Sequence, residues 1–282
     1  MEAQGNSEFD LGKKVFFLYP PSVVRDDLIK RLLEQEFEVY MLKDITTASI
    51  LLRRYPDSIV YINLDIGLSE YEWEKWIREL LENPVTKTVG VGIVSYNSDD
   101  RLQKKYLLEI GIQYGFIKLK LGLEESTRIL IATLKASEVK GRRKYVRANC
   151  THDTVSSLNI REGQKTSIGK ISDISVVGFS CIIDPDPQFQ KNVILHDVQL
   201  KLKASLLITE VIVFGSRVNS DQRTVYVMLF TKNLDNIARE KIRTYIQIAL
   251  QTGIELEAAH NHLADSTVSG ETTKTNTAIQ AE

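Results

Sequence analysis

The sequence KGRRKYVR, residues 140–147, places five basic side chains within eight residues of a chain whose formal net charge is only -1. Arg143 and Arg147 are four residues apart, so an extended backbone would separate them by roughly 13 Å with both side chains on one side. That spacing suits a ligand with more than one anionic group. Arginine can bond phosphate through two parallel hydrogen bonds, read guanine through O6 and N7, and stack on a base. The segment therefore predicts an anion site that could also recognise a purine.

A second set of polar residues lies later in the chain, in the sequence SDISVVGFS, residues 172–180. Asp173 and Ser175 are two residues apart and would share one face of a strand, and Gly178 permits a close backbone approach or a positive φ. A carboxylate can accept hydrogen bonds from N1–H and N2–H2 of guanine, and a hydroxyl can bond a base or a phosphate. Together, the two sets of residues predict a pocket for a guanine dinucleotide.

The two motifs, Arg-x-x-x-Arg at 143–147 and Asp-x-Ser-x-x-Gly at 173–178, resemble the signature of the PilZ family of bacterial cyclic di-GMP receptors. The resemblance covers roughly residues 139–255 and implies two groups of ligand residues: arginines that grip phosphates and guanine faces, and barrel residues that hold a guanine edge. These residues are Arg142, Arg143 and Arg147 in the first group and Asp173, Ser175 and Gly178 in the second. In this family an arginine placed like Arg142 tends to accompany two intercalated ligand molecules rather than one.

The second half of the chain must position these residues, and its pattern is that of short strands separated by turn signals. The strand-like runs are DTVSSLNI, SIGKISDIS, GFSCII, VILHDVQLKLKASLLI, TEVIVFGSRV and TVYVMLF. They predict a six-stranded antiparallel β-barrel closed by a helix, which Asn233 would cap and Gly253 would end. The apolar stripe of that helix would consist of Leu234, Ile237, Ala238, Ile242, Tyr245, Ile246 and Ala249.

The first half alternates apolar strands with amphipathic helices, which predicts an α/β domain with a doubly wound parallel sheet. The predicted strands begin at 13, 38, 58, 88 and 114, and helices follow each of them, at 22, 46, 69, 100 and 124. In the helix SEYEWEKWIREL, the aromatic residues Trp73 and Trp76 fall at helical spacing and are predicted to anchor the core.

The order of these elements across residues 12–136 resembles the receiver domain of response regulators. Tyr19 and Pro20 stand where receivers carry the acidic residues that hold Mg²⁺, and Asn63 stands at the phosphoacceptor position, with Asp65 two residues further on. Ser95 and Lys118 match the receiver residues that contact the phosphoryl group. Without the carboxylates that bind Mg²⁺, these two residues cannot support phosphoryl transfer. We therefore predict a degenerate receiver that binds a partner or serves as a scaffold.

The domain organisation follows from this change of pattern. A flexible N-terminus, 1–11, precedes a receiver-like domain at 12–138, a PilZ-like β-barrel domain at 139–262 and a disordered tail at 263–282. The tail is poor in large apolar residues, which is typical of disorder. The basic segment lies at the joint between the two domains.

Composition limits the possible functions. The chain has 43% hydrophobic residues, a pI near 6.5, no signal-like N-terminus and no apolar run long enough to cross a bilayer, which predicts a cytoplasmic protein without membrane contact. The near-neutral charge gives little support for nucleic-acid binding, which would depend on the basic joint alone. The two cysteines, Cys150 and Cys181, are predicted to be buried reduced thiols.

Nothing in the sequence indicates an enzyme or a cofactor. The pairs His152-Asp153 and His196-Asp197 lie in strand-like stretches without further metal ligands at workable spacing. We therefore predict a cyclic di-GMP receptor that converts binding at the joint into a change of domain arrangement, read by an unidentified downstream protein. Control of motility, adhesion or biofilm formation is implied by the family resemblance alone. A ligand-independent adaptor is the alternative, because the degenerate first domain could act without the ligand.

Overall fold

The chain folds into two compact units. The structure, a computed structural model, describes residues 12–276 apart from residues 142, 163, 164 and 233, so the predicted flexible segment 1–11 lies outside it. The first unit runs to Lys144 and also includes the chain from Ile254 onward, and the second unit comprises Tyr145–Gly253. The sequence-based boundary falls after residue 138, whereas the units divide after Lys144.

The first unit is built on a parallel five-stranded sheet with the strand order β2-β1-β3-β4-β5. Its strands are β1 (Val15–Leu18), β2 (Val39–Leu42), β3 (Ile59–Asn63), β4 (Gly90–Ser95) and β5 (Phe116–Lys118). Its helices are α1 (Ile29–Glu34) after a π-helical turn (Val24–Leu28), α2 (Ile45–Arg54), α3 (Glu70–Glu82), α4 (Asp100–Lys104) before a second π-helical turn (Lys105–Ile110), and α5 (Leu123–Ala136). This order is a doubly wound sheet, so the predicted fold class is confirmed.

Local sequence explains why these elements form where they do. Strands β1, β3 and β4 are buried along their whole length, as expected of strands covered by helices on both faces. Asp44 caps α2 by accepting a hydrogen bond from the Thr47 amide, and Ser69 and Glu72 form a capping box at the start of α3. Trp73 is fully buried, which confirms its predicted place in the core, whereas Trp76 is only half-buried.

The second unit is a closed antiparallel barrel. Its strands are β6 (Ala148–Asn149), β7 (Ser157–Glu162), β8 (Lys165–Ser175), β9 (Gly178–Ile183), β10 (Ile194–Leu202), β11 (Ser205–Val218) and β12 (Thr224–Phe230). Strands β7 to β12 form the ring β8-β7-β10-β11-β12-β9, which closes through pairing of β8 with β9. The short strand β6 pairs with β8. The predicted six-stranded barrel is therefore confirmed, with β6 as an addition to it.

One predicted strand is in fact two. The run VILHDVQLKLKASLLI spans β10, a turn at Lys203 and the start of β11. Lys203 has a φ of +53°, a conformation that is uncommon outside glycine. No glycine, proline or asparagine marks this turn, so the sequence pattern did not reveal it.

The closing helix, α6 (Asn236–Asn276), differs from its prediction at both ends. Asp235 caps it by accepting a hydrogen bond of 2.6 Å from the Ala238 amide, while the predicted cap, Asn233, lies outside the described residues. Leu234, Ala238 and most of the predicted stripe are buried, but Ile237 is 67% exposed.

The predicted end of α6 at Gly253 is wrong. The helix continues through residues that belong to the first unit: Ile254 and Ala258 are buried, and Glu257 accepts hydrogen bonds from Arg54 Nε at 2.7 Å and Tyr55 Oη at 2.5 Å. The tail that was predicted to be disordered from residue 263 is helical as far as Asn276. Residues 277–282 lie outside the described part of the chain.

Asp153 connects α6 to the loop that enters the barrel. Its carboxylate accepts hydrogen bonds from Tyr245 Oη at 2.8 Å, from Ser156 Oγ at 2.6 Å and from the amides of Val155 and Ser156. Burial alone would raise the pKa of the Asp153 carboxyl, but these hydrogen bonds outweigh burial and lower its pKa to about 2. The ionised carboxylate therefore stabilises the closed barrel.

This arrangement predicts a specific acid dependence. Because the pKa of Asp153 is lower in the folded protein than in the unfolded chain, its contribution is present above about pH 4 and is lost as the pH falls towards 2. We expect Asp153→Asn to lower the free energy of unfolding by about 1 kcal/mol at pH 6, because solvent screens part of the interaction, and this difference to shrink at pH 3. Urea denaturation followed by circular dichroism measures both values. A difference that stays constant with pH would contradict the role of the ionised carboxylate.

Cys150 and Cys181 are both free and buried, which confirms the prediction that they are buried reduced thiols. Within the part of the chain that the structure describes, no helix has the length and apolar character needed to cross a bilayer.

Candidate ligand-binding site

The basic segment is held at both of its ends. At its start, Val139 is buried in the first unit and its carbonyl accepts a hydrogen bond of 2.8 Å from the Lys13 amide. At its end, Tyr145 and Val146 pack against the core of the barrel. Arg143 and Arg147 are exposed, whereas Arg142 lies outside the described residues. The segment therefore presents the side chains of Arg143 and Arg147 to solvent.

Strand β6 brings the end of the basic segment to strand β8. In the antiparallel pair, Ala148 lies opposite Ile174 and Asn149 lies opposite Asp173. Arg147 immediately precedes β6, so one further step in the same register falls opposite Ser175. Two sequence motifs that are separated along the chain thus become neighbours through one short strand.

A β-bulge in β8 turns the Asp173 side chain outward. The register between β8 and β9 shifts between Ile171 and Asp173, which leaves Ser172 as an extra residue. Ile171 and Ile174 are both buried in the core although they are three residues apart. Without the bulge, Asp173 would share the inward face with Ile171, because residues two apart on a strand point to the same side. The bulge therefore makes the carboxylate accessible to a ligand.

Asp173 belongs to a row of side chains on the outer face of the barrel. The registers place Asn149, Asp173, Ser180 and Val227 opposite one another on strands β6, β8, β9 and β12. The adjacent row consists of Ala148, Ile174, Phe179 and Met228 and is fully buried. Asn149 and Ser180 were not identified from the sequence. Only the cross-strand register connects them to Asp173, and neither belongs to either motif.

Ser175 and Gly178 hold the hairpin between β8 and β9. Ser175 is 4% exposed, and its hydroxyl donates to the Gly178 carbonyl at 3.1 Å and accepts from the Val177 amide at 3.4 Å. Gly178 does not have a positive φ. A side chain there would meet the Met228 carbonyl oxygen at 2.2 Å, so glycine permits the close approach of β9 and β12. The sequence assigned both residues to the ligand, and the contacts observed are internal to the barrel.

The two thiols near this face, Cys150 and Cys181, are buried and have raised pKa values. Burial raises the pKa of Cys150 to about 11 and that of Cys181 to about 12, and the negative charge of Asp173 acts in the same direction. Both thiols therefore stay protonated at neutral pH and are poor nucleophiles.

The strand ends of the first unit do not form an open phosphoryl site. Asn63 Nδ2 donates to the Tyr19 carbonyl at 2.9 Å, and Lys118 forms an ion pair of 2.6 Å with Asp100. Asp65 accepts hydrogen bonds from Ser95 Oγ at 2.6 Å and from the Tyr96 amide at 2.7 Å. The side chains that match the receiver pattern are thus engaged with neighbouring groups of the chain.

Asp65 also connects the loops that follow β3 and β4, so its loss should destabilise the first unit. We expect Asp65→Ala to lower the free energy of unfolding by about 1 to 3 kcal/mol, because it removes two hydrogen bonds to a charged group. Both tryptophans of the chain, Trp73 and Trp76, lie in α3, so their fluorescence during urea denaturation reports this unit. Asp57→Ala, at an exposed aspartate ahead of β3, is the control. Equal effects of the two substitutions would contradict the role of the cross-link.

The two histidine-aspartate pairs make their contacts elsewhere in the second unit. Asp153 belongs to the hydrogen-bond network of α6, as described above. His196 Nδ1 lies 2.5 Å from Glu210 Oε2, beside an open cavity of about 310 Å³ that Asp197, Leu207 and Ala238 also line. In the described ranges, no three His, Cys, Asp or Glu side chains are grouped so that they could hold a metal ion.

No protein-family model and no curated protein sequence matches the chain. Among solved structures, it is similar to the PilZ domain of YcgR from Escherichia coli with c-di-GMP, at 11% identity and a TM-score of 0.33, over 43% of this chain and 97% of that one.

Two other solved structures extend the comparison. The K. pneumonia MrkH–c-di-GMP complex matches at 18% identity and a TM-score of 0.35, over 44% of this chain, which spans only 57% of MrkH. The Mn²⁺-bound response regulator Rcp1 matches at 15% identity and a TM-score of 0.34, over 44% of this chain and 94% of that one.

Proposed function

We propose that the protein is a receptor for cyclic di-GMP, which binds between the basic segment and the outer face of β8 around Asp173. The observation that carries this proposal is the pairing of β6 with β8, because it sets Arg147 beside the strand of Asp173. The ligand carries two phosphates and two guanines. Arginine matches the phosphates and the Hoogsteen edge of guanine, and a carboxylate matches its N1–H and N2–H2 edge.

The residues divide between direct contact and support. Arg142, Arg143 and Arg147 are proposed to grip phosphates and stack on guanine faces, and Asp173 to accept hydrogen bonds from a guanine edge. Ser175 and Gly178 are proposed to support the site, since their contacts hold the hairpin that follows Asp173. A charge-assisted hydrogen bond contributes about 1.5 to 3 kcal/mol and stacking about 1 to 3 kcal/mol. Several such contacts, less an association cost of about 4 to 15 kcal/mol, allow micromolar binding.

A competition experiment separates this function from nucleic-acid binding. Fluorescently labelled cyclic di-GMP is bound to the full chain, and unlabelled cyclic di-GMP, GTP or duplex DNA is added at low and high salt. We expect only cyclic di-GMP to compete efficiently, at both salt concentrations. Displacement by DNA with a steep loss of affinity in salt would indicate a phosphate-backbone site instead.

We further propose that the ligand changes the arrangement of the two units and that a downstream protein recognises the result. The basic segment is anchored at Val139 in the first unit and leads through Tyr145 into the second, so a ligand that binds Arg143 and Arg147 acts on the connection itself. Fluorescence transfer between labels on the two units should change at saturating cyclic di-GMP. An unchanged signal with bound ligand would favour a ligand-independent adaptor.

A further inference from the structure

Ser180 is the residue that contacts the Asp173 carboxylate. It lies opposite Asp173 on β9, is 4% exposed, and donates a hydrogen bond from its hydroxyl to Asp173 Oδ2. Across the described chain, no other hydrogen-bond donor contacts this carboxylate. On its other side, Ser180 lies opposite the apolar residue Val227. Its hydroxyl therefore has one polar function, which is to hold one oxygen of Asp173.

The hydrogen bond from Ser180 orients the Asp173 carboxylate but leaves most of its acceptor positions available. An ionised carboxylate offers about four acceptor positions, so one hydrogen bond from Ser180 leaves Oδ1 and part of Oδ2 available to a ligand. The side chain of Asp173 is only half-buried, and without Ser180 it could adopt other rotamers. A guanine edge needs two acceptors in a fixed orientation, and a group that is already oriented binds without losing that freedom.

We propose that Ser180 is a positioning residue of the dinucleotide site, which orients Asp173 towards the N1–H and N2–H2 edge of guanine. This inference rests on the proposed function. It identifies the determinant of base specificity as a pair, Asp173 and Ser180, rather than as Asp173 alone. Neither composition nor motif indicates Ser180, since it lies beyond the end of the Asp-x-Ser-x-x-Gly pattern.

The test compares two ligands that differ only at the base edge. Cyclic di-IMP lacks the exocyclic amino group of guanine but keeps both phosphates. We expect Ser180→Ala to weaken cyclic di-GMP binding about 10-fold, or about 1.4 kcal/mol, and cyclic di-IMP binding by less than about 3-fold. The ratio of the affinities for cyclic di-GMP and cyclic di-IMP should therefore decrease. A general distortion of the barrel would instead weaken the binding of both ligands by a similar factor.

An isosteric pair keeps the result interpretable if Ser180→Ala does not fold. Threonine and valine have nearly the same side-chain shape, but only threonine carries a hydroxyl. Ser180→Thr should therefore keep the preference for guanine, and Ser180→Val should lose it. If wild type binds cyclic di-GMP and all three variants keep its preference for guanine, the positioning role is wrong. If wild type does not bind cyclic di-GMP at all, the proposed function itself fails.

Discussion

Replacing Arg147 by alanine should weaken cyclic di-GMP binding at least about 10-fold while the barrel stays folded. The guanidinium is exposed, so its removal leaves no cavity, and it lies one step beyond the β6–β8 pairing. A charge-assisted, bidentate contact is worth more than the 1.4 kcal/mol or so that a tenfold change requires. Arg143→Ala should act in the same direction, because Arg143 is also exposed on the basic segment.

The control for this experiment is Arg161→Ala, which removes one exposed arginine from β7 of the same barrel. Calorimetric titration of each variant with cyclic di-GMP gives the affinity, and thermal denaturation shows that the fold is kept. Wild-type affinity in folded Arg147→Ala, or an equal loss in Arg161→Ala, would refute the assignment of Arg147. The second outcome would mean that only the net charge of the barrel matters.

Replacing Gly178 by alanine should destabilise the barrel by about 3 kcal/mol or more. The new Cβ would meet the Met228 carbonyl oxygen at 2.2 Å and the Leu229 Cα at 3.1 Å, and both are backbone atoms that cannot move without disturbing β12. Overpacking against backbone is relieved only by separating strands, and β9 and β12 are paired neighbours in the closed ring. Urea denaturation followed by circular dichroism measures the loss.

Gly215→Ala is the matched control for Gly178→Ala. Gly215 lies on β11, opposite Val227, and a Cβ there would have no atom within 4 Å. We expect little change in the free energy of unfolding for that variant. A stability of Gly178→Ala close to that of Gly215→Ala would show that the approach of β9 and β12 is not as tight as the structure indicates.

Sequence pattern was sufficient for the elements whose signal is local. The apolar runs of β1, β3 and β4 and the amphipathic pattern of α3 predict the positions of these elements to within a few residues. The pattern was insufficient where a distant contact decides the structure. Glycine is common at helix ends, so Gly253 was predicted to end α6. The helix instead continues, and Ile254 and Ala258 beyond this glycine are buried. Lys203 turns the chain at a position without any turn residue.

Some features of the candidate site can likewise be predicted from the sequence, and others depend on strand pairing. Residue types and spacing predict Arg147 and Asp173 as partners for an anionic purine ligand, because their chemistry is intrinsic to the side chains. The bulge at Ser172, which turns Asp173 outward, and the register that adds Asn149 and Ser180 both depend on strand pairing. The internal role of the Ser175 hydroxyl likewise becomes visible only once the hairpin is formed. Long-range pairing was therefore the information that the sequence lacked.

The basic segment and the outer face of β8 are proposed to bind one ligand together. The test is to follow the amide chemical shifts of the isotopically labelled full chain by NMR during titration with cyclic di-GMP. We expect the largest changes to fall in residues 143–149 and 172–180 and to saturate together. Changes confined to other surfaces, or no changes at ligand concentrations of about 1 mM, where even weak binding is visible, would contradict it.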